Sequence, residues 1–429
     1  MVSFYSEQWS RKRSVTSLDW SLKVSCSQVL FSYAKFPELL LASYTKNSSA
    51  PYDPDGVINV WNLHSHSSPE FTFHSTSDIL TAKFSPFHPN LIIAGSYSGH
   101  IQVYDTRHRS PHPVLKTPLT GTGHTHPVYS VNCVGTQGAN MIISVSTDGV
   151  MCSWTTDMLA RPQEFLELTY PPPTQSTTTT LMSKVVEDLS PMSVSFSRND
   201  SGSFFVGTEE GSIWSINRYD RAGAKAGTDG TIRFTPHHAP VTKLDLHRAG
   251  LGPGTSETCD FDNLLLSASL DWTIRLYRTR TSPSVTGDIR TNAPLMEWGR
   301  EDMVYDVAWS PVRPSLFTSV DGSGTLELWD LTSPDPEVPV AWTRDPEHPR
   351  ALNKVCWETG PEGRRVVTGS LDGLVQVYDL GAEYGAEGSG GKDEVLGIKK
   401  FLARCEGERL GSASAGILQR ERRSSLSWR

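Results

Sequence analysis

The stretch Gly123–Trp154, GHTHPVYSVNCVGTQGANMIISVSTDGVMCSW, carries the order of features that decides the fold. An alternating run, Val128–Val131, reads as a half-buried strand, and the more continuously apolar Met141–Ser146 as a second. Thr147-Asp148-Gly149 then supplies a hairpin turn, because Gly accepts the positive φ that such turns demand. A third strand closes on Trp154. The closing segment recurs on both sides: Gly56–Trp61 (GVINVW), Gly99–Tyr104 (GHIQVY), Gly149–Trp154 (GVMCSW), Gly211–Ile216 (GSIWSI), Trp272–Tyr277 (WTIRLY), Gly324–Trp329 (GTLELW) and Gly373–Tyr378 (GLVQVY). Their last residues are spaced by 43, 50, 62, 61, 52 and 49 positions. Self-similarity of that length, with strands ending in Trp or Tyr, marks small sheets arranged radially: an all-β, seven-bladed β-propeller.

The opening strands are as regular as the closing ones. Val15–Trp20, Leu80–Phe84, Met192–Phe196, Val241–Leu246, Val304–Trp309 and Leu352–Trp357 match Val128–Val131. Leu39–Ser43, Leu91–Ser96, Phe204–Thr208, Leu264–Ser269, Leu316–Val320 and Val366–Ser370 match its apolar second strand. Leu270-Asp271-Trp272, Val320-Asp321-Gly322 and Leu371-Asp372-Gly373 repeat the turn. Residues 1–14, with Phe4, Tyr5 and Trp9, are expected to close the last blade, since closure removes the exposed sheet edges that invite aggregation. The propeller is then 15–380, with insertions at 22–34 and about 165–188, and 381–429 reads as a flexible tail.

Composition narrows the function. The chain of 429 residues has a net charge of −8, 37% hydrophobic residues and six scattered cysteines without a CxxC pair. Its pI near 5.9 argues against nucleic acid, tubulin or an anionic membrane as a direct partner, all of which ask for clustered Lys and Arg. The cysteine pattern points away from a disulfide framework or a zinc site and toward a reducing, intracellular compartment. There is no run of eighteen apolar residues and no secretory leader in MVSFYSEQWSRKRS.

The repeats resemble the WD-repeat family. In that family a His, a Ser, an Asp and a Trp form a hydrogen-bonded chain that fastens a blade to its turn; here these are His124, Ser144, Asp148 and Trp154, with Ser146 beside them. His237, Asp271 and Tyr277 repeat the set, and Asp321 with Trp329 and Asp372 with Tyr378 repeat part of it. A catalytic His–Asp–Ser reading uses the same residue types, but repetition around a ring favours architecture. No HExxH, nucleophile elbow or P-loop is present, and neither metal nor cofactor is expected.

The segments between the repeats are more particular. THPVYS (125–130), VGTQ (134–137), STDG (146–149), DMLARPQE (157–164), VGTEEG (206–211) and NRYDRAGAKAG (217–227) closely resemble the C-terminal propeller of the cytoplasmic dynein intermediate chains, and the likeness runs from about Val15 to Leu380. The resemblance implies a non-catalytic motor subunit of the cytoplasm and microtubule cytoskeleton. Its propeller would dock on the tail of the dynein heavy chain, supporting assembly and cargo attachment for minus-end-directed transport. A second intermediate chain, light chains and dynactin are partners in the family through a more N-terminal region, which is expected to be absent because Met1 stands almost where the propeller begins. An axonemal intermediate chain shares the ring, but DMLARPQE and RAGAKAG favour the cytoplasmic kind; a ubiquitin-ligase substrate receptor would need a recruiting motif that is not seen.

For the partner contacts, exposed aromatics near the channel mouth are the natural anchors. Tyr129 and Tyr305 stand at equivalent places in opening strands, Tyr97 and Trp272 in turns, and His126 near Tyr129. Arg218, Arg221 and Lys225 form a second candidate, a small basic loop on an acidic ring. Three stretches depart from the family: Leu22–Ala34, an apolar insertion; Tyr170–Thr180, a Pro/Thr-rich excursion with a possible phosphorylation site at Thr177–Thr180; and the end, where Val395–Cys405 could form a short helix and Arg422–Ser425 could suit a basophilic kinase.

Overall fold

The computed structural model describes residues 1–21, 39–118, 123–136, 138–171, 187–197, 201–220, 225–247, 261–279, 290–333, 339–343, 350–360, 362–386 and 393–407. Leu22–Ala34, Thr177–Thr180, Arg221 and Arg422–Ser425 lie outside the described residues.

In each opening strand the apolar positions sink between neighbouring blades while the residues between them face the centre. Second and third strands, such as Leu264–Ser269 and Thr273–Arg278, are buried almost throughout because both their faces meet another blade. The result is seven four-stranded antiparallel sheets around an axis. Blades 1 to 6 begin at Val15, Ile79, Val128, Pro191, Val241 and Val304 and run outward in chain order. A parallel pair, Ile232–Phe234 with Arg290–Asn292, bridges outside blade 5.

Blade 7 is built from both ends of the fold. Leu352–Trp357, Arg365–Ser370 and Val375–Asp379 take Val2–Phe4 as their outer strand, with Val2 opposite Val377 and Phe4 opposite Val375. Phe4 is fully buried, 5.6 Å from Trp61 between ring centroids, and Trp9 packs on His74 at 4.8 Å. Tyr5 points outward and takes no part in that core.

Around the axis the opening strands are stitched side by side. Asp19 accepts the Phe84 N–H at 2.7 Å, Ser193 that of Leu244 at 2.7 Å, Asp245 that of Trp309 at 2.9 Å and Asp306 that of Val355 at 3.1 Å. Asn353 closes the ring by donating to the Val15 carbonyl at 2.7 Å.

Two expectations about the chain's outline change. The insertion expected from about 165 starts later, because Glu164–Glu167 is the outer strand of blade 3, paired along Val150–Ser153. The stretch 381–429 is not uniformly a loose tail: residues 393–407 form an α-helix. Val395, Ile398, Phe401, Leu402 and Cys405 fall on one face at helical spacing and pack into a cluster with Phe261, Leu264, Trp309, Phe317 and Leu331 of blades 5 and 6. Glu394, buried at its start, accepts hydrogen bonds from the Ser315 N–H at 3.2 Å, the Ser315 hydroxyl at 2.6 Å and Arg313 Nε at 3.3 Å. The Gly-rich stretch ahead of the helix suggests detachment, but an apolar stripe this wide is costly to leave in water.

Candidate protein-docking face

The repeated His, Ser, Asp and Trp form most of the expected chain, but in blade 3 His124 Nδ1 stands 3.6 Å from Asp148 Oδ1, too far for a hydrogen bond. His124 Nε2 and Trp154 Nε1 both meet Ser144 Oγ, at 2.7 and 2.8 Å, and Asp148 accepts the Thr125 N–H at 3.1 Å. In blade 5, His237 joins Ser267 Oγ at 2.7 Å to Asp271 Oδ2 at 3.0 Å. Tyr277 stands apart from that chain, donating instead to the Thr235 carbonyl at 2.8 Å. Burial would raise the Asp271 carboxyl, but the hydrogen bonds from His237, Thr273 and the His238 N–H outweigh it and hold the group well below the usual carboxylate range. Burial likewise pushes the His237 imidazole down, against the pull of Asp271.

Blade 6 keeps the Trp–Ser pair, Trp329 Nε1 to Ser319 Oγ at 2.8 Å, but replaces the histidine with Glu327, which accepts from Ser319 at 2.9 Å and pairs with Arg300. Burial lifts Glu327 up to about 7 despite that arginine. Asp321, expected in the turn, ends the second strand and accepts the Thr325 N–H at 2.9 Å. In blade 7, Asp372 accepts from Ser370, and Tyr378 donates to Gln376 at 3.2 Å. Ser267, Ser319, Glu327 and Arg300 were not singled out from sequence; a Ser two residues before the second-strand end, as at Ser144, was the available signal for the two serines.

The axial channel encloses about 450 Å³ and is lined by the opening strands, among them Asp19, Lys83, Asp245, Asp306 and Lys354. Burial raises Asp19 to about 6, opposed by Lys83, and lowers Lys354. Asp19, Asp245 and Asp306 each hold a backbone N–H of the next blade, so these carboxylates serve closure. Burial also lifts the Cys133 thiol to about 12, far from a nucleophilic thiolate. Among the described residues no cluster of three or more His, Cys, Asp or Glu side chains could hold a metal ion.

One end of the ring is more distinctive. In every blade the turn after the second strand donates an N–H to the residue that precedes the opening strand: Thr45 to Ser14, Tyr97 to Asp78, Thr147 to Pro127, Glu209 to Ser190, Leu270 to Pro240, Gly322 to Met303 and Leu371 to Ala351, all at 2.8 to 3.3 Å. These turns and strand entries therefore form one continuous face. Tyr97 and Trp272 lie on it, 57% and 48% exposed, with Tyr52, Met303 and Leu371 also exposed there. His126 is exposed on the same face, its Nδ1 2.9 Å from Thr125 Oγ1. Tyr129 and Tyr305 are half-buried at the channel mouth rather than free anchors.

Arg218 drops out of the basic-loop candidate. Arg218 is only 6% exposed and is spent on Glu164 at 2.7 Å and the Ser201 carbonyl at 3.1 Å. Lys225 is exposed, and Arg221 lies outside the described residues.

Comparison with known proteins agrees with this architecture. The WD domain, G-beta repeat model matches residues 66–105, the outer strand of blade 1 and three strands of blade 2, so the sequence unit is offset from the blade by one strand. Cytoplasmic dynein 1 intermediate chain of Drosophila melanogaster is 38% identical over 379 residues, 88% of this chain. This chain is thus similar to a dynein intermediate chain over most of its own length. It spans 50% of that fly protein's length. The likeness first read from THPVYS and DMLARPQE therefore extends through nearly the whole ring.

Proposed function

We propose that this chain is a non-catalytic subunit of a cytoplasmic dynein motor complex and that its propeller docks on the heavy-chain tail. The 38% identity over 379 residues to a cytoplasmic dynein intermediate chain is the observation that carries this reading. The ring suits the task. Its polar clusters are consumed in closing blades, while one rigid face keeps aromatic and aliphatic side chains in water, as a protein-docking surface does. In this reading the protein works in the cytoplasm, attached to microtubules through the motor, and takes part in assembly and cargo attachment. A second intermediate chain, light chains and dynactin join the same complex.

The test is affinity capture of the tagged chain from extracts of its own cells, with bound proteins identified by mass spectrometry. Heavy chain should be the dominant partner. A folded chain that recovers none of it would refute the reading.

A further inference from the structure

Five of the seven turns on the docking face place a glycine with positive φ at their third position: Gly99, Gly149, Gly211, Gly324 and Gly373, with φ between 75° and 87°. Glycine is required there for two reasons. The left-handed backbone disfavours a side chain, and a Cβ would run into a carbonyl of the segment entering the next blade, as at Gly211 against His237 O, 2.5 Å away. Blade 5 breaks the rule. Trp272 occupies the equivalent position at φ 67°, a strained backbone for a bulky residue, and about half of its surface remains in water. Its backbone is pinned: its carbonyl accepts the Arg300 N–H at 2.7 Å, and neighbouring Asp271 accepts the His238 N–H at 3.0 Å. The molecule thus carries backbone strain to present an indole that its described core does not use.

The surroundings state what that indole could meet. On one side the His237 N–H binds the Gly211 carbonyl at 2.9 Å, which brings exposed Glu209 and Glu210 beside blade 5. On the other, the bond to Arg300 places exposed Glu301, half-exposed Asp302 and exposed Met303 next to Trp272. Arg300 itself is paired with Glu327. Carboxylates therefore flank an apolar centre on both sides. The opposite sector of the same face, at the entry to blade 1, mixes Arg11, Lys12 and Lys46 with Asp53, Asp55 and Asp78. The sector around Trp272 is thus acidic with an apolar centre.

We infer that this sector is the anchoring patch of the docking face and that it receives a Lys/Arg-rich partner segment whose apolar side chain packs on Trp272. Identification of that segment with the heavy chain rests on the proposed function; the surface itself does not. The decisive variant is Trp272→Gly, which installs the residue the other turns use and so removes the contact without removing a core side chain. Two ligands are offered to the full chain by isothermal titration: the purified heavy-chain tail, and an 18-residue amphipathic Lys/Leu peptide set against its Glu/Leu counterpart.

The parent should bind the Lys/Leu peptide and not the Glu/Leu one, and Trp272→Gly should weaken binding at least about tenfold. Its thermal midpoint should stay level or rise. Paired reversals Glu209→Lys and Glu301→Lys should weaken binding further and flatten its salt dependence, while Tyr52→Ser on the far sector should leave it unchanged. Equal binding of the Lys/Leu peptide by parent and Trp272→Gly, or equal affinity for both peptides, overturns the inference. A heavy-chain tail held equally by parent and Trp272→Gly also overturns the surface while leaving the assembly reading intact. A tail that fails to bind beside a peptide that binds through Trp272 supports the surface and removes the heavy chain as its occupant.

Discussion

The 393–407 helix makes the sharpest stability prediction, because the sequence around it reads as tail while its packing reads as core. Ile398 is fully buried within the cluster of Phe261, Leu264, Trp309, Phe317 and Leu331. Ile398→Ala removes the equivalent of three carbons, about 2.4 kcal/mol at roughly 0.8 per buried methylene. The cavity left behind adds to this, so about 3 to 4 kcal/mol is expected if helix and ring unfold together. Trp298, Trp309 and Trp329, three of the twelve tryptophans, belong to the same cluster, so intrinsic fluorescence during urea unfolding includes this region. The control is Lys399→Ala on the exposed side of the helix, expected within about 0.5 kcal/mol of the parent. A loss below about 1 kcal/mol for Ile398→Ala would show that the helix undocks on its own, and the argument for a shared core would fail.

Other perturbations follow from the same geometry. Ser144→Ala strips the shared partner from His124 and the buried Trp154 N–H and should cost about 1 to 3 kcal/mol, measured by chemical unfolding; a neutral result would mean that the chain of polar contacts contributes nothing. Phe4→Ala should cost about 3 to 5 kcal/mol, because it empties a site that joins the first strand to Trp61; under 1 kcal/mol would refute closure through Val2–Phe4. Glu327 has an ordinary value of 4.5 and rises to about 7 in the fold. The native state therefore holds its proton more tightly, and the stability this contributes is present below the unfolded value and lost as pH rises through about 7. Comparing thermal midpoints of the parent and Glu327→Gln from pH 5 to 8 isolates this group, since other titrations cancel in the difference. The parent should lose ground to Glu327→Gln as pH rises, and parallel profiles would refute it.

The inner three strands of each blade were legible because burial on a pleated sheet imposes alternation and the closing aromatic punctuates it. The outer strands were not: Leu115–Lys116 and Gly227–Thr228 are two residues each, have one strand neighbour and need no pattern. Helical spacing at Val395, Ile398, Phe401 and Cys405 was readable, but the groove that receives it is assembled from residues more than sixty positions earlier. Arg218 shows the same limit. Its neighbours along the chain look like a basic loop, while the charge that neutralises it, Glu164, comes from 54 positions away. Trp272 could be placed in a turn by its register with the Asp-Gly pairs, yet only the backbone angle reveals what that placement costs.

Closure of blade 7 has a consequence for how the chain is made. Val2–Phe4 is synthesised more than 370 residues ahead of its partner Val375–Val377. At about 5 to 20 residues per second, the first strand waits roughly 20 to 75 s for its mate. Throughout that interval Phe4 and the opening strand of blade 1 are an unfinished seam, visible to chaperones and to other nascent chains on the same message. Completion of the ring is therefore decided when the last blade emerges and its third strand takes up the waiting Val2–Phe4.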